Sequence, residues 1–101
     1  MMSNLLQAHP DVQGVIAAND EMALGAKAGR PVQVVGFDGT PDGLTAVKDG
    51  TLYASVAQQP TQWGRIAVDN ALNAVQGKKV ESTVKVPVKV VAKDDVAGFS
   101  G

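Results

Sequence analysis

Three polar side chains occupy equivalent places in this sequence. Asn19 ends the apolar run Val15–Ala18, Asp38 ends the run Val32–Phe37, and Gln58 ends Leu52–Ala57. A carboxylate only accepts hydrogen bonds, whereas a side-chain amide both donates and accepts them. The vicinal hydroxyls of a sugar need that mixture, since each must give one hydrogen bond and take others. If the apolar runs are parallel strands, the three residues stand beyond their carboxyl ends, where open α/β sheets bind ligands. The competing structural role is that of helix cap or turn former, which suits Asn and Asp. Gln58 fits that role badly, because Gln is a poor cap.

Other chemistries find little support. The stretch Gly36-Phe37-Asp38-Gly39-Thr40-Pro41-Asp42-Gly43 lacks the alternating oxygen ligands and distal Glu of a calcium loop. It also lacks the Gly-Lys-Ser/Thr ending of a phosphate loop. Gly39 and Gly43 read more simply as turn residues that let the backbone approach whatever fills the crevice. His9 is the single histidine and precedes Pro10, a place for a helix C-cap or dipole partner. With no second histidine and no cysteine, a catalytic dyad or a zinc site has no basis, and no cofactor is implied. Trp63 belongs to the apolar stripe of a helix, and Asp94-Asp95 reads as a solvated pair in a tail.

The elements that must position the three residues follow from local signals. Near-continuous apolar runs at Val15–Ala18 and Val32–Phe37 suit parallel strands covered on both faces. Between them, Asn19 or Asp20 can cap a helix over Glu21–Ala28, and Gly29 sits where a helix stops. Thr40 caps a second helix over Asp42–Asp49, with Pro41 at its start and Gly50 at its end. Connections of about a dozen residues are near the shortest that return a chain to a parallel neighbour. The pattern is a right-handed βαβαβ unit, an α/β fold with a three-layer parallel sheet. Ser3–His9 reads as the last turns of a helix. Beyond Pro60, Thr61 caps a long helix, Gln62–Gln76, terminated by Gly77. Val84, Val86, Val88 and Val90 alternate with Lys85, Pro87 and Lys89, a half-buried strand that Pro87 places at a sheet edge or beside one. Residues 93–101 have no periodicity and read as a disordered tail.

Composition agrees. The chain has 101 residues, 45% of them apolar, which fits one domain. Sixteen valines and fourteen alanines against four aromatics favour strands packed under helices over a bulky helical core. Nine basic and ten acidic residues give a net charge of −1, so no field steers the chain onto nucleic acid. No run of apolar residues is long enough to span a membrane. Met1–Asn4 leads directly into helical sequence without a signal-peptide pattern.

At these residues a family resemblance emerges. The stretch Ala8–Ala26, with Ala17-Ala18-Asn19-Asp20-Glu21-Met22 at its centre, closely resembles periplasmic sugar-binding proteins of bacterial ABC importers. So do Val34–Gly43 and Ala54-Ser55-Val56-Ala57-Gln58-Gln59-Pro60. The likeness covers residues 1–92 and implies a truncated lobe of the type I periplasmic binding protein fold. It implies that Asn19, Asp38 and Gln58 hydrogen-bond a ribose-like monosaccharide, with Phe37 as a wall residue, and that no catalysis occurs. An ABC transporter permease would be the partner of the full-length family. Residence would be periplasmic by resemblance, or cytoplasmic if the chain is made as it stands. The same fold serves as the effector domain of LacI-type regulators, which is the alternative setting.

Departures from the family pattern carry their own expectations. The first lobe and the opening strands of the second are absent, with their aromatic walls and their arginine and aspartate ligands. The helix after Asn19 is shortened, with Ala26–Pro31 replacing a longer stretch. The chain therefore reads as a C-terminal fragment or truncated product, with weak ligand binding or none. In the family the helix at residues 62–76 follows a crossing into the other lobe, so its stripe would face water. A homodimer is expected, formed helix on helix or by exchange of the helix and the Val84–Val90 strand. The other possibility is a self-associating remnant that binds no ligand.

Overall fold

A computed structural model describes residues 1–99. Three parallel strands and one antiparallel strand form a single sheet in the order β1 (Gly14–Ile16), β2 (Gln33–Asp38), β3 (Ala54–Ala57), β4 (Lys89–Ala92). The register pairs Val15 with Val34, Gly36 with Ser55 and Ser55 with Val91. Helix α1 (Met2–Ala8) precedes β1, α2 (Asp20–Lys27) joins β1 to β2, and α3 (Pro41–Asp49) joins β2 to β3. The expected α/β unit with an edge strand is thus present.

Local chemistry sets the element ends. Thr40 accepts a hydrogen bond from the Gly43 N–H at 3.1 Å, Pro41 starts α3, and Gly50 ends it at φ 85°. These are the roles that a capping hydroxyl, a fixed φ and a Cβ-free residue perform at helix ends. Behind Gly50, the N–H groups of Thr51 and Leu52 both bond the Ala46 carbonyl, and this turn drives Leu52 into the core. Arg30 bonds the Gly25 and Ala26 carbonyls at the end of α2 and reaches Ser3 of α1 at 2.6 Å.

The core is small and one-sided. Val32 and Val34 pack with Ala23 of α2, Ala46 and Val47 of α3, and Leu52. Because side chains alternate across a strand, Val34, Gly36, Ser55, Ala57 and Val91 share the helix-covered face, and all are buried. The opposite face carries Ile16, Val35, Phe37, Val56 and Val90, with Ile16 84% and Val90 62% exposed. Helices α2 and α3 contact each other, since right-handed crossovers between successive neighbours fall on one side. Among the described residues two layers are present, and the expected third layer has no counterpart.

Other boundaries also differ from expectation. Helix α4 spans Pro60–Val75, so Pro60 takes the first helical position and Gln59, not Thr61, is the N-cap. Helix α4 buries none of its residues, and the molecule measures 59 × 29 × 16 Å along its principal axes. The strand expected at Val84–Val90 is instead the four-residue β4, paired antiparallel with β3. Strand β3 offers only four positions, and Pro87, which has no N–H to donate, stands just outside them. Val84 and Val88 remain exposed in an irregular segment. The two connections to α4 are tied together where the Gln59 side-chain amide donates to the Pro87 carbonyl.

The expected disordered tail is largely a 3-10 helix, Lys93–Gly98. Asp95 is not a solvated bystander: its Oδ2 accepts the Ala92 N–H at 3.1 Å, and Val96 packs against the core. Residues 100 and 101 of the expected tail lie outside the described residues.

Candidate functional site

The parallel strands bring their carboxyl ends to one edge of the sheet, and the polar residues gather there. Asp38 is the last residue of β2, and Gln58 follows the last residue of β3. The Gln58 backbone N–H bonds the Asp38 carbonyl at 3.2 Å, and the Gln58 Nε2 donates to Asp38 Oδ1. Both side chains are half-buried. One carboxylate oxygen of Asp38 is thereby oriented by an amide, while the other takes no part in that bond.

The backbone at Asp38 is unusual, with φ 109°. A non-glycine residue there costs about 1–3 kcal/mol and persists only where its surroundings impose it. The imposing neighbours are visible. Gly39 follows at φ 73°, and a Cβ on it would lie 2.6 Å from the Ala57 Cβ. Its N–H donates to Ser55 Oγ at 3.1 Å.

Asn19 stands at the neighbouring strand end and performs the structural role first. Its Oδ1 accepts the Met22 N–H at 2.8 Å and caps α2. The Nδ2 group is not used by that cap. Asn19 is not in hydrogen-bond contact with Asp38 or Gln58 among the described residues, but its sequence neighbour Asp20 bonds Thr40 and Ser55 in the adjoining elements. Phe37 is half-buried on the sheet face that the helices leave uncovered, paired in register with Val56.

Sequence reasoning gave Asp20 only an alternative capping role, yet it and Ser55 are the two buried polar residues here. Asp20 is 0% exposed. Oδ1 accepts the Ser55 hydroxyl at 2.7 Å, and Oδ2 accepts the Thr40 N–H at 2.8 Å and the Thr40 hydroxyl at 3.2 Å. The available signal was an Asp directly behind a capping Asn. Phe99, in the supposed tail, was missed as well. Its ring lies 3.8 Å from where a Gly39 Cβ would stand, with the Lys89 ammonium 6.0 Å from the ring centroid.

Comparison with known proteins fits this arrangement. A profile of the periplasmic binding protein domain matches residues 1–79. The chain belongs to the periplasmic binding protein family. It is 54% identical over 99 residues to the ribose import binding protein of Escherichia coli K12, covering 92% of this chain and 33% of that protein. The Bacillus subtilis ribose import binding protein is 48% identical over 95 residues, with 89% and 31% covered. Among solved structures, an ABC transporter periplasmic solute-binding protein from Actinobacillus succinogenes with bound D-allose superposes with a TM-score of 0.88. It shares 31% identity, over 97% of this chain and 37% of that one. The chain thus spans about a third of the length of these curated relatives, and its sheet is part of a periplasmic binding protein lobe.

Proposed function

We propose that this chain carries the half-site for a ribose-like monosaccharide, in the manner of the solute-binding component of a bacterial ABC sugar importer. Asp38 and Gln58 supply the central acceptor and donor, Asn19 Nδ2 adds a donor from the next strand end, and Phe37 provides an apolar wall. The observation that carries this reading is the Asp38–Gln58 pair, held at a strained backbone position where three parallel strands end. The relatives named for ribose import and the D-allose-bound neighbour support a monosaccharide as the ligand class. Working with a permease in the periplasm is the role of this site in a full-length binding protein. Binding there needs no bond-making step, so the function is recognition without catalysis.

Affinity follows from the openness of the site. Each hydrogen bond in a wet half-site contributes only about 0.5–1.5 kcal/mol net. Association costs of at least ~4 kcal/mol absorb most of that. Ribose should therefore bind at millimolar concentration or more weakly. Titration calorimetry with ribose and with a non-sugar polyol of similar size tests this. A micromolar dissociation constant overturns the half-site, and equal response to both compounds overturns the sugar reading.

The exposed surface supports a second copy of this chain as a partner. The accessible area is 6943 Å², whereas a compact monomer of this mass exposes about 5,400 Å². The radius of gyration is 17.7 Å, against about 13 Å for a compact domain of this length. The excess area of about 1,500 Å² exceeds the roughly 800 Å² per partner of a standard interface. Pairing of two chains through the apolar stripe of α4 would bury part of it and give a homodimer.

A further inference from the structure

The geometry assigns Asp20 as the positioning residue of the crevice, the buried carboxylate that, with Ser55 as its link to β3, ties the three strand ends to one another. This rests on the sugar half-site reading for its functional meaning, but its geometry does not depend on any ligand.

Asn19, Asp38 and Gln58 come from three different strand ends, and nothing in a strand ladder alone fixes how side chains beyond its last pair sit together. Asp20 supplies the missing ties. As the first residue of α2 it is covalently joined to Asn19. Through Oδ2 it holds both the N–H and the hydroxyl of Thr40, two residues beyond Asp38. Through Oδ1 it holds Ser55 of β3, and Ser55 in turn accepts the Gly39 N–H. The turn that forces Asp38 to φ 109° is therefore gripped from both sides by one carboxylate.

The surroundings are shaped to admit this carboxylate. A Cβ on Gly36 would stand 2.2 Å from Asp20 Oδ1, and one on Gly43 would stand 2.1 Å from Oδ2. Two glycines from separate elements leave room for the same side chain. All three hydrogen bonds come from neutral donors, so both oxygens must act as acceptors. An asparagine offers one acceptor oxygen and a donor amide. Against the Thr40 N–H that amide meets another donor, and against Ser55 it forces the hydroxyl to reverse. In the first case the Thr40 N–H loses its acceptor. In the second Ser55 must accept from both the amide and the Gly39 N–H, and a charge-assisted bond gives way to a weaker neutral one while the shape is kept.

The test is Asp20→Asn in the full chain, read by nuclear magnetic resonance of the Gln58 side-chain amide and the Gly39 backbone amide. The leucine and valine methyl signals of Leu52 and Val47 report the core. The expected result is loss of the Gln58–Asp38 signature, with the Gln58 amide protons moving to the shifts of solvent-exposed glutamines, and faster exchange at Gly39. The core methyls stay in place. If Asp20→Asn does not fold, Ser55→Ala decides: it keeps the carboxylate and the Thr40 bonds but removes the acceptor of Gly39. A folded Asp20→Asn with Gln58 and Gly39 signals as in the parent, or a folded Ser55→Ala with Gln58 signals as in the parent, overturns the assignment. Ribose titration of the parent chain is the separate arm. Equal response to ribose and to a non-sugar polyol, together with the expected Gln58 and Gly39 changes, would reject the sugar reading and leave the positioning role intact.

Discussion

Gln58 grips Asp38 twice, with its backbone N–H on the Asp38 carbonyl and its side-chain amide on the Asp38 carboxylate. The first contact extends the β2–β3 ladder by one bond past its last paired residues, Asp38 and Ala57. The second fixes which carboxylate oxygen faces the protein. Backbone pairing and side-chain orientation are thus set by the same residue, at a position whose φ of 109° only glycine adopts readily.

Replacing Asp38 separates its two contributions. Both Asp38→Gly and Asp38→Ala lose the Gln58 bond, but only glycine relieves the strained φ, so Asp38→Gly should be more stable than Asp38→Ala by about 1 kcal/mol in urea denaturation. Asp38→Gly should abolish any ribose response. Asp38→Ala keeps the strain, gains no stability and also loses the sugar, and its effect on binding should exceed those of Asn19→Ala and Gln58→Ala, since a carboxylate makes the stronger hydrogen bonds. Equal ribose affinity for the parent and Asp38→Ala would leave Asp38 as a turn residue.

Two glycine substitutions inside helices should move stability in opposite directions. Gly43→Ala in α3 drives a methyl to 2.3 Å from the Asp20 Cγ and 2.7 Å from its Cβ, contacts that no rotation of a held carboxylate relieves. Overpacking of this kind costs about 1–3 kcal/mol. Gly25→Ala in α2 meets nothing within 4 Å, so the helix gains about 0.5–1 kcal/mol. Chemical denaturation of the pair checks both signs, and a stabilising Gly43→Ala would contradict the packing around Asp20.

What the sequence made legible divides along physical lines. The apolar runs, Thr40, Pro41 and Gly50 act locally, so β2, α3 and the α/β class could be read from residue order. The placement of Asp38 and Gln58 at strand ends followed from the same runs. Asp20 was not legible as a buried tie because its partners, Thr40 and Ser55, lie 20 and 35 residues away, and a lone Asp behind an Asn looks like a cap. The valine alternation at residues 84–90 misled for a related reason: alternation signals extended chain, but strand length is set by the partner, and β3 offers four positions. The single covered sheet face was equally hidden, since Val35 and Val56 read as buried whether or not a helix lies above them.

The terminal 3-10 helix gives a prediction where local pattern was uninformative. Val96 packs against the core from Lys93–Gly98, and Asp95 bonds the Ala92 N–H. Val96→Ala should cost about 1 kcal/mol of stability from the apolar area it uncovers. A change in urea midpoint no larger than that of an exposed control such as Val75→Ala, where the side chain is 87% exposed, would return this segment to the status of a loose tail.

The proposed homodimer rests on the apolar stripe of α4. Trp63, Val68 and Leu72 are 41%, 60% and 55% exposed, and they recur at spacings that place Val68 and Leu72 on one helical face. Contiguous apolar surface of this kind rarely stays open in a monomer. Burial of roughly 400–500 Å² per chain would contribute on the order of 10 kcal/mol before association costs are subtracted. Light scattering at micromolar concentration should therefore report twice the 10.4 kDa chain mass. The double variant Val68→Glu, Leu72→Glu should return the monomer, because two carboxylates per chain would be forced into an apolar contact. Neither residue is part of the core, so the denaturation midpoint of the monomer should be unaffected by the change. A parent chain that scatters as a folded 10.4 kDa monomer would remove the dimer and leave α4 a solvent-exposed arm.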